Sequence, residues 1–145
     1  MGWYQEFISD GDTPDKVFHL CPKDDWEKRP NRHQYAPPSF KEEKLVRTTH
    51  EIGRLVETAN CFYQKKSPPE EEWVCLQIDT MGLRMNGIEL KMIPSDMDPT
   101  LKCPHIYGEL PEEVIRKVYP VQRDPTSGEF LFVTGLTDVC PSHAK

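Results

Sequence analysis

The spacing of apolar and polar residues predicts a chain of short strands interrupted by one main helix. Apolar runs typical of strands occur at 16–20, 45–49, 73–79, 87–90, 114–121 and 130–133. The run at 73–79 is almost wholly apolar, which is typical of a central strand buried on both faces. Apolar residues recur instead at helical spacing in one stretch, at Ile52, Leu55, Val56, Ala59, Phe62 and Tyr63. Runs of strands around a single helix predict an α+β fold.

Turn and capping residues set the expected limits of these elements. Thr48 and Glu51 have the spacing of a capping box, so the main helix is expected to begin at about 48. It is expected to end near 66, because Pro68–Pro69 prevents its continuation. The sequence also predicts short helical turns and tight turns at 23–28, 39–43, 81–83, 105–108, 111–113 and 126–128.

One domain is expected between a leader and a tail. Residues 1–15 are acidic and rich in turn residues, which predicts a loose leader with Trp3 and Phe7 docked on the body. Residues 16–133 form the predicted single α+β domain. Residues 134–145 carry no clear pattern and are assigned to a C-terminal tail.

Length and composition narrow the class of protein. A chain of 145 residues is long enough for one hydrophobic core, and its 14 prolines disfavour a bundle of long helices. No apolar run approaches the length that spans a bilayer, and the N-terminus lacks the basic and apolar regions of a secretory signal. The expected protein is therefore cytoplasmic or has access to the nucleus, is not secreted, and has no membrane partner.

Charge and cysteine content limit the partners further. A net charge of -6 disfavours non-specific binding to a nucleic-acid backbone but leaves room for a local basic pocket. The 5 cysteines are widely spaced and odd in number, without a C-x-x-C pair, which predicts reduced thiols and no metal site. The oligomeric state is left open.

The candidate chemistry is a set of polar residues on apolar elements, since no standard catalytic signature is present. His19 lies in an apolar strand and is either a core histidine satisfied by the backbone or a ligand contact on a pocket wall. Arg47, Thr48 and Thr49 are either a strand end with a helix cap or an anion-binding corner. Cys103-x-His105 is too small a set to indicate a metal, and Glu89 is either solvent-facing or a hydrogen-bond acceptor.

Four segments of the chain carry a more specific pattern. They are Val17–Leu20 followed by Trp26, Leu45–Thr49 followed by Ala59–Asn60–Cys61–Phe62–Tyr63, Leu76–Asp79 followed by Glu89, and Pro104–His105–Ile106–Tyr107–Gly108 followed by Pro111. In this order they resemble the uncharacterised family catalogued as domain of unknown function 952, over about residues 16–130. Arg47 stands where that family has a histidine. An arginine can hold an anion but cannot act as a base near neutral pH.

The resemblance implies a fold and a set of site residues. The family is similar in fold to ADP-ribosyltransferases, which implies a compact, mixed or antiparallel sheet. In such enzymes a histidine and a hydroxyl residue hold NAD, and a later glutamate supports ribosyl transfer. By analogy, His19, Thr49 and Glu89 are expected to hold an NAD-like ligand. The resulting catalytic candidates are His19, Glu89 and His105. The ligand-binding candidates are Arg47, Thr48, Thr49, Asn60, Tyr107 and Gly108.

Two functional hypotheses follow. The first is a polar pocket for a nucleotide or another small anionic ligand, with NAD-related ADP-ribosyl-type transfer as its catalytic form. The second is a non-catalytic binding or interaction module, in which the polar side chains are structural. The pocket hypothesis requires the candidate side chains to converge on one cleft.

Overall fold

The computed structural model describes residues 13–95 and 100–138. Within these ranges the strands are β1 (Lys16–Pro22), β2 (Gln34–Tyr35), β3 (Val46–Arg47), β4 (Trp73–Asp79), β5 (Glu89–Pro94), β6 (Lys102–Tyr107), β7 (Leu110–Pro111), β8 (Ile115–Arg123) and β9 (Phe130–Val133). The helices are α1 (Lys23–Glu27), α2 (Phe40–Glu43), α3 (Leu55–Phe62) and α4 (Thr80–Met85), with 3₁₀ turns at Ile52–Arg54 and Glu112–Val114. Most of the predicted leader, including Trp3 and Phe7, lies outside the described residues.

Antiparallel sheets dominate the architecture and confirm the α+β prediction. A four-stranded sheet has the order β1-β4-β8-β9, a three-stranded sheet has the order β3-β6-β5, and β2 pairs with β7. Thr49, just after β3, joins the two larger sheets because it exchanges two backbone hydrogen bonds of 2.8 Å with Phe18 of β1. The result is a curled sheet in which β1 and β3 lie next to each other.

The four-stranded sheet separates two hydrophobic clusters, and β1 contributes to both. Val17 and Cys21 lie in a cluster with Tyr35 and Ile106, whereas Phe18 packs in a second cluster with residues of α3 and β9. The predicted alternation of β1 is therefore confirmed. It directs His19 toward the first cluster, where it lies beside Tyr35.

The main helix is shorter than predicted, because the sheet extends further along the chain. The prediction of a helix over 48–66 is wrong: α3 covers Leu55–Phe62, after a single 3₁₀ turn. Thr48 caps no helix, since its hydroxyl donates to the Pro104 carbonyl at 2.7 Å and its backbone N–H donates to the same oxygen. The backbone N–H groups of Thr48 and Thr49 are both used in strand pairing, which removes the expected anion-binding helix corner.

The structure confirms several further predictions and corrects others. Strand β4 is central, paired with both β1 and β8, and the predicted hairpin joins β8 to β9. The predicted turn at 105–108 is wrong, because residues 102–107 form β6 between β3 and β5. The turn predicted at 81–83 lies within α4, and the strand predicted at 45–49 is reduced to β3.

The described part of the tail folds back on the domain. Leu136 packs against the second hydrophobic cluster, and the Val133 backbone N–H donates to the Thr137 hydroxyl at 2.8 Å. Residues up to 138 therefore continue the packed body. No helix in the described part of the chain is both long and apolar enough to cross a bilayer.

Candidate functional site

A cleft of about 580 Å³ lies between α3 and the β3-β6-β5 sheet. Its apolar walls come from β1, from β5 and from the C-terminal end of α3 with the residue after it, in the side chains Phe18, Leu20, Phe62, Tyr63 and Ile93. Its polar walls come from Ser39, Glu43, Arg47, Thr48, Thr49, Thr58, Lys66 and His105. The volume and the mixture of apolar walls with a few polar groups are typical of a small-molecule site.

The sheet side of the cleft carries a row of basic residues. Arg47 of β3 lies directly opposite His105 of β6, and His105 lies opposite Lys91 of β5. Residues opposite one another in a pair of strands project from the same face of the sheet. Arg47 and His105 therefore line the cleft together, whereas Lys91 continues the row beyond it.

Arg47 already holds a carboxylate at the cleft wall. Its Nε and Nη2 atoms each lie 3.3 Å from an oxygen of Glu43, in a two-point ion pair. The Arg47 side chain is 54% exposed, so the pair is screened by solvent and adds little to stability. A competing anion in the cleft has direct access to this guanidinium.

Two hydroxyl groups in the cleft are available for a ligand. The hydroxyls of Thr49 and Tyr63 make no hydrogen bond to another residue in the parts of the chain described by the structure. Burial raises the pKa of Tyr63, so its phenol stays protonated and able to donate. The Thr48 hydroxyl, by contrast, is buried and used in its bond to Pro104.

His19 is held in the interior by hydrogen bonds at both ring nitrogens. Its Nδ1 lies 2.7 Å from the Arg47 carbonyl oxygen, and its Nε2 lies 3.0 Å from the Tyr35 hydroxyl. Because a carbonyl only accepts hydrogen bonds, Nδ1 carries the proton and Nε2 accepts from Tyr35. The His19 residue is only 5% exposed. Its geometry is that of a core histidine.

The protonation states of this interior network follow from burial. Burial lowers the pKa of His19 to about 4, despite an opposing contribution from its bond to the Arg47 carbonyl. Burial raises the pKa of the neighbouring Cys21 thiol to about 12, an effect that hydrogen bonding between this thiol and the Tyr35 hydroxyl partly offsets. His19, Tyr35 and Cys21 are therefore all neutral at pH 7, and none is a reactive base or thiolate there.

A smaller cavity lies beside both this network and the cleft. The cavity measures about 140 Å³ and is lined by His19, Cys21 and Tyr35 among others. Five residues line both spaces, namely Leu20, Ser39, Glu43, Arg47 and Tyr63. The Glu43–Arg47 ion pair therefore stands where the smaller cavity meets the cleft.

The structure brings some of the candidate residues together and separates others. The cleft is lined by Arg47, Thr48, Thr49 and His105, and His19 lines the smaller cavity beside it. Glu89 and Tyr107 oppose each other further along the same sheet face, where neither lines the cleft. The Glu89 side chain is 62% exposed and lies 3.8 Å from Lys91.

Asn60 and Gly108 make contacts that stabilise the fold. The Asn60 carboxamide donates to the Phe130 carbonyl at 3.0 Å and accepts from the Phe130 N–H at 2.6 Å, as a neighbouring strand would do. A Cβ on Gly108 would come within 3.1 Å of the Ile88 side chain. The close approach of these two residues explains the glycine.

Sequence reasoning did not select several residues of the cleft, among them Glu43, Tyr63 and Lys66. Tyr63 and Lys66 were interpreted only as parts of a helix, and Glu43 only as part of a turn. Tyr63 offered a weak signal, because tyrosine has an apolar ring with a polar tip. Glu43 and Lys66 gave no signal, since their positions depend on how separate segments pack.

A second depression on the molecule has the opposite electrostatic character. It measures about 520 Å³ and lies beside α1 and β8, where Glu27 and Glu70–Glu72 contribute four carboxylates against Lys23 and Arg123. This excess of negative charge disfavours an anionic ligand there. Among the described residues, no group of three or more potential ligands is placed to hold a metal ion.

Comparisons with known proteins agree with the fold and assign no chemistry. Residues 20–118 match the family model described as a protein of unknown function, DUF952. The crystal structure of protein CC0527 from Caulobacter crescentus matches with a TM-score of 0.62 and 14% identity, over 80% of this chain and 93% of that one. A double mutant of CC0527 matches equally well. No curated protein matches the chain.

Proposed function

The chain belongs to the DUF952 family of proteins of unknown function, and from that premise we propose that its cleft binds a small anionic molecule. The Arg47 guanidinium is the principal contact for the anion. Lys66 adds positive charge, and the Thr49 and Tyr63 hydroxyls supply neutral donors. The observation that carries the proposal is that Arg47 already holds a carboxylate at two points on the wall of an open cleft.

The geometry supports binding better than ADP-ribosyl transfer. By the analogy with ADP-ribosyltransferases, His19 and a later glutamate would both face the NAD-like ligand. Here both nitrogens of His19 are used in the interior, and Glu89 lies outside the cleft. The ADP-ribosyltransferase-like fold and NAD stay expectations of the resemblance.

The non-catalytic interaction module is a second, weaker candidate. It accounts well for His19, Thr48 and Asn60, which are all satisfied within the protein. It does not account for an open cleft with unused hydroxyls at Thr49 and Tyr63. We therefore favour a ligand-binding cleft.

Calorimetric titration with small anions tests the proposal. The panel comprises acetate, benzoate, inorganic phosphate, AMP and NAD, each added to the full chain at low salt. At least one anion is expected to bind, and Arg47→Gln is expected to weaken it by about tenfold or more, as for loss of a charge-assisted hydrogen bond.

Arg54→Gln is the matched control. Arg54 is similarly exposed, at 45%, and also pairs with glutamates, but it lies outside the cleft. It should leave the affinity unchanged. Binding of no anion, or equal losses in the two variants, would refute the proposal.

A further inference from the structure

We infer that the ligand of this cleft is a monocarboxylate attached to a flat apolar body. This inference rests on the proposed function, because it specifies the anion that the Arg47 site takes. It is argued from the charge balance of the cleft, from the carboxylate already seated on Arg47, and from the aromatic wall of α3.

The charge balance of the cleft suits a single negative charge. Among the described lining residues, Arg47 and Lys66 are cationic and Glu43 contributes one carboxylate, so these three side chains sum to one positive charge. A pyrophosphate brings two or more negative charges into the same space. A charge taken out of water is costly unless it is paired, so a polyphosphate is poorly matched here.

Glu43 shows which geometry Arg47 accepts. The Glu43 carboxylate meets Nε and Nη2 of Arg47 with two distances of 3.3 Å, somewhat longer than strong charge-assisted bonds. A ligand carboxylate would replace this internal partner with the same planar, two-point arrangement. Glu43 thus acts as a built-in competitor for the ligand.

The walls beside Arg47 suit a flat apolar group. The Phe62 ring lies next to the Tyr63 ring, with centroids 6.4 Å apart, and both line the cleft with Leu20 and Ile93. Phe62 is 41% exposed, although it is a large apolar side chain. A flat ligand body stacked here would remove this aromatic surface from water.

Titration with matched probes tests the inference. Indole-3-acetate carries both features, acetate lacks the body, and methyl indole-3-acetate lacks the charge. We expect indole-3-acetate to bind about tenfold or more tightly than either of the other two. Glu43→Gln should strengthen its binding several-fold, because the competitor is removed.

Phe62→Ala should weaken the binding of indole-3-acetate by about fivefold or more, because a stacked ring is lost. Phe132→Ala is the control, because Phe132 is similarly exposed, at 37%, but lies on β9 outside the cleft. Equal effects of the two variants would overturn the inference.

The outcomes separate the inference from the proposed function. Tighter binding of AMP or NAD than of indole-3-acetate, still lost in Arg47→Gln, would overturn the carboxylate inference and leave the anion site standing. Equal binding of indole-3-acetate and acetate would likewise overturn the inference alone. Failure of every anion to bind would overturn both.

Discussion

Two histidines flank Arg47, and they have opposite surroundings. His19 donates to the Arg47 carbonyl from the interior, whereas His105 lies opposite Arg47 across the strand pair, on the cleft wall. Both occur in short, largely apolar strands. The difference arises from what lies against each ring, since His19 packs beside Tyr35 and the first hydrophobic cluster whereas His105 lines the cleft.

The comparison separates a stabilising region from a binding region. Both ring nitrogens of His19 have a hydrogen-bond partner within the protein, which is how buried polar groups avoid a desolvation penalty. On the cleft wall, the Thr49 and Tyr63 hydroxyls make no hydrogen bond to another residue within the described ranges, and an exposed ion pair with Glu43 holds the Arg47 side chain. Substitutions on the two sides should therefore affect different measurements.

The largest expected effect is on stability, from truncation of His19. His19→Ala removes the acceptor of the Tyr35 hydroxyl and the donor to the Arg47 carbonyl and opens a cavity, so we expect a loss of about 3 kcal/mol in the free energy of unfolding. His105→Ala, on the cleft wall, should cost less than about 1 kcal/mol. Urea unfolding measures both values, and equal losses would contradict the comparison.

The pH dependence of stability should report His19 next. Since burial holds its pKa at about 4, below the ordinary 6.5, the unfolded chain binds a proton that the folded chain does not. The stabilisation by neutral His19 is fully present above about pH 6.5. It is lost as the pH falls toward 4, which lowers the free energy of unfolding by about 3 kcal/mol over this pH range. Unfolding measured across this range should give a shallower slope for His19→Gln than for the parent, and an unchanged slope would count against a buried neutral histidine.

Tyr35→Phe should have a smaller effect that isolates one bond. The variant removes the donor to His19 Nε2 with little change in volume, so a loss of about 1–2 kcal/mol is expected. Chemical denaturation gives the value. A variant as stable as the parent would show that the Tyr35 bond is not needed to satisfy His19.

The smallest expected effect on stability comes from Arg47 itself. Arg47→Gln breaks only the exposed pair with Glu43, so it should change the free energy of unfolding by less than about 1 kcal/mol. Arg54→Gln should behave similarly, because Arg54 forms a comparable exposed pair. Thermal unfolding of both variants checks this. A large loss of stability in the Arg47 variant alone would mean that Arg47 stabilises the fold.

Apolar runs and turn residues predicted the fold best where pairing with distant strands did not override them. Strand β4 and the β8–β9 hairpin follow directly from apolar runs and turn residues. The capping-box spacing of Thr48 failed because Pro104 and Phe18, distant in sequence, pair with this segment. Strand β6 was missed because Pro104 and Gly108 are typical of turns, although its two neighbouring strands keep it extended.

The site was predictable in part for the same reason. Arg47 and His105 stand out as polar residues on apolar elements, and their strand pairing brings them to one cleft. The same criterion selected His19, since a single sequence does not show that Tyr35 packs beside it. Glu43 and Lys66 depend on packing between separate segments, which residue spacing does not encode.

The most direct test of this division is nitrogen NMR of the histidine side chains during titration with indole-3-acetate. The resonances of His105 should shift with added ligand, while those of His19 keep the pattern of a neutral ring protonated at Nδ1. A response of His19 with His105 unchanged, or no response of either ring at saturating ligand, would contradict the assignment of the cleft as the binding site.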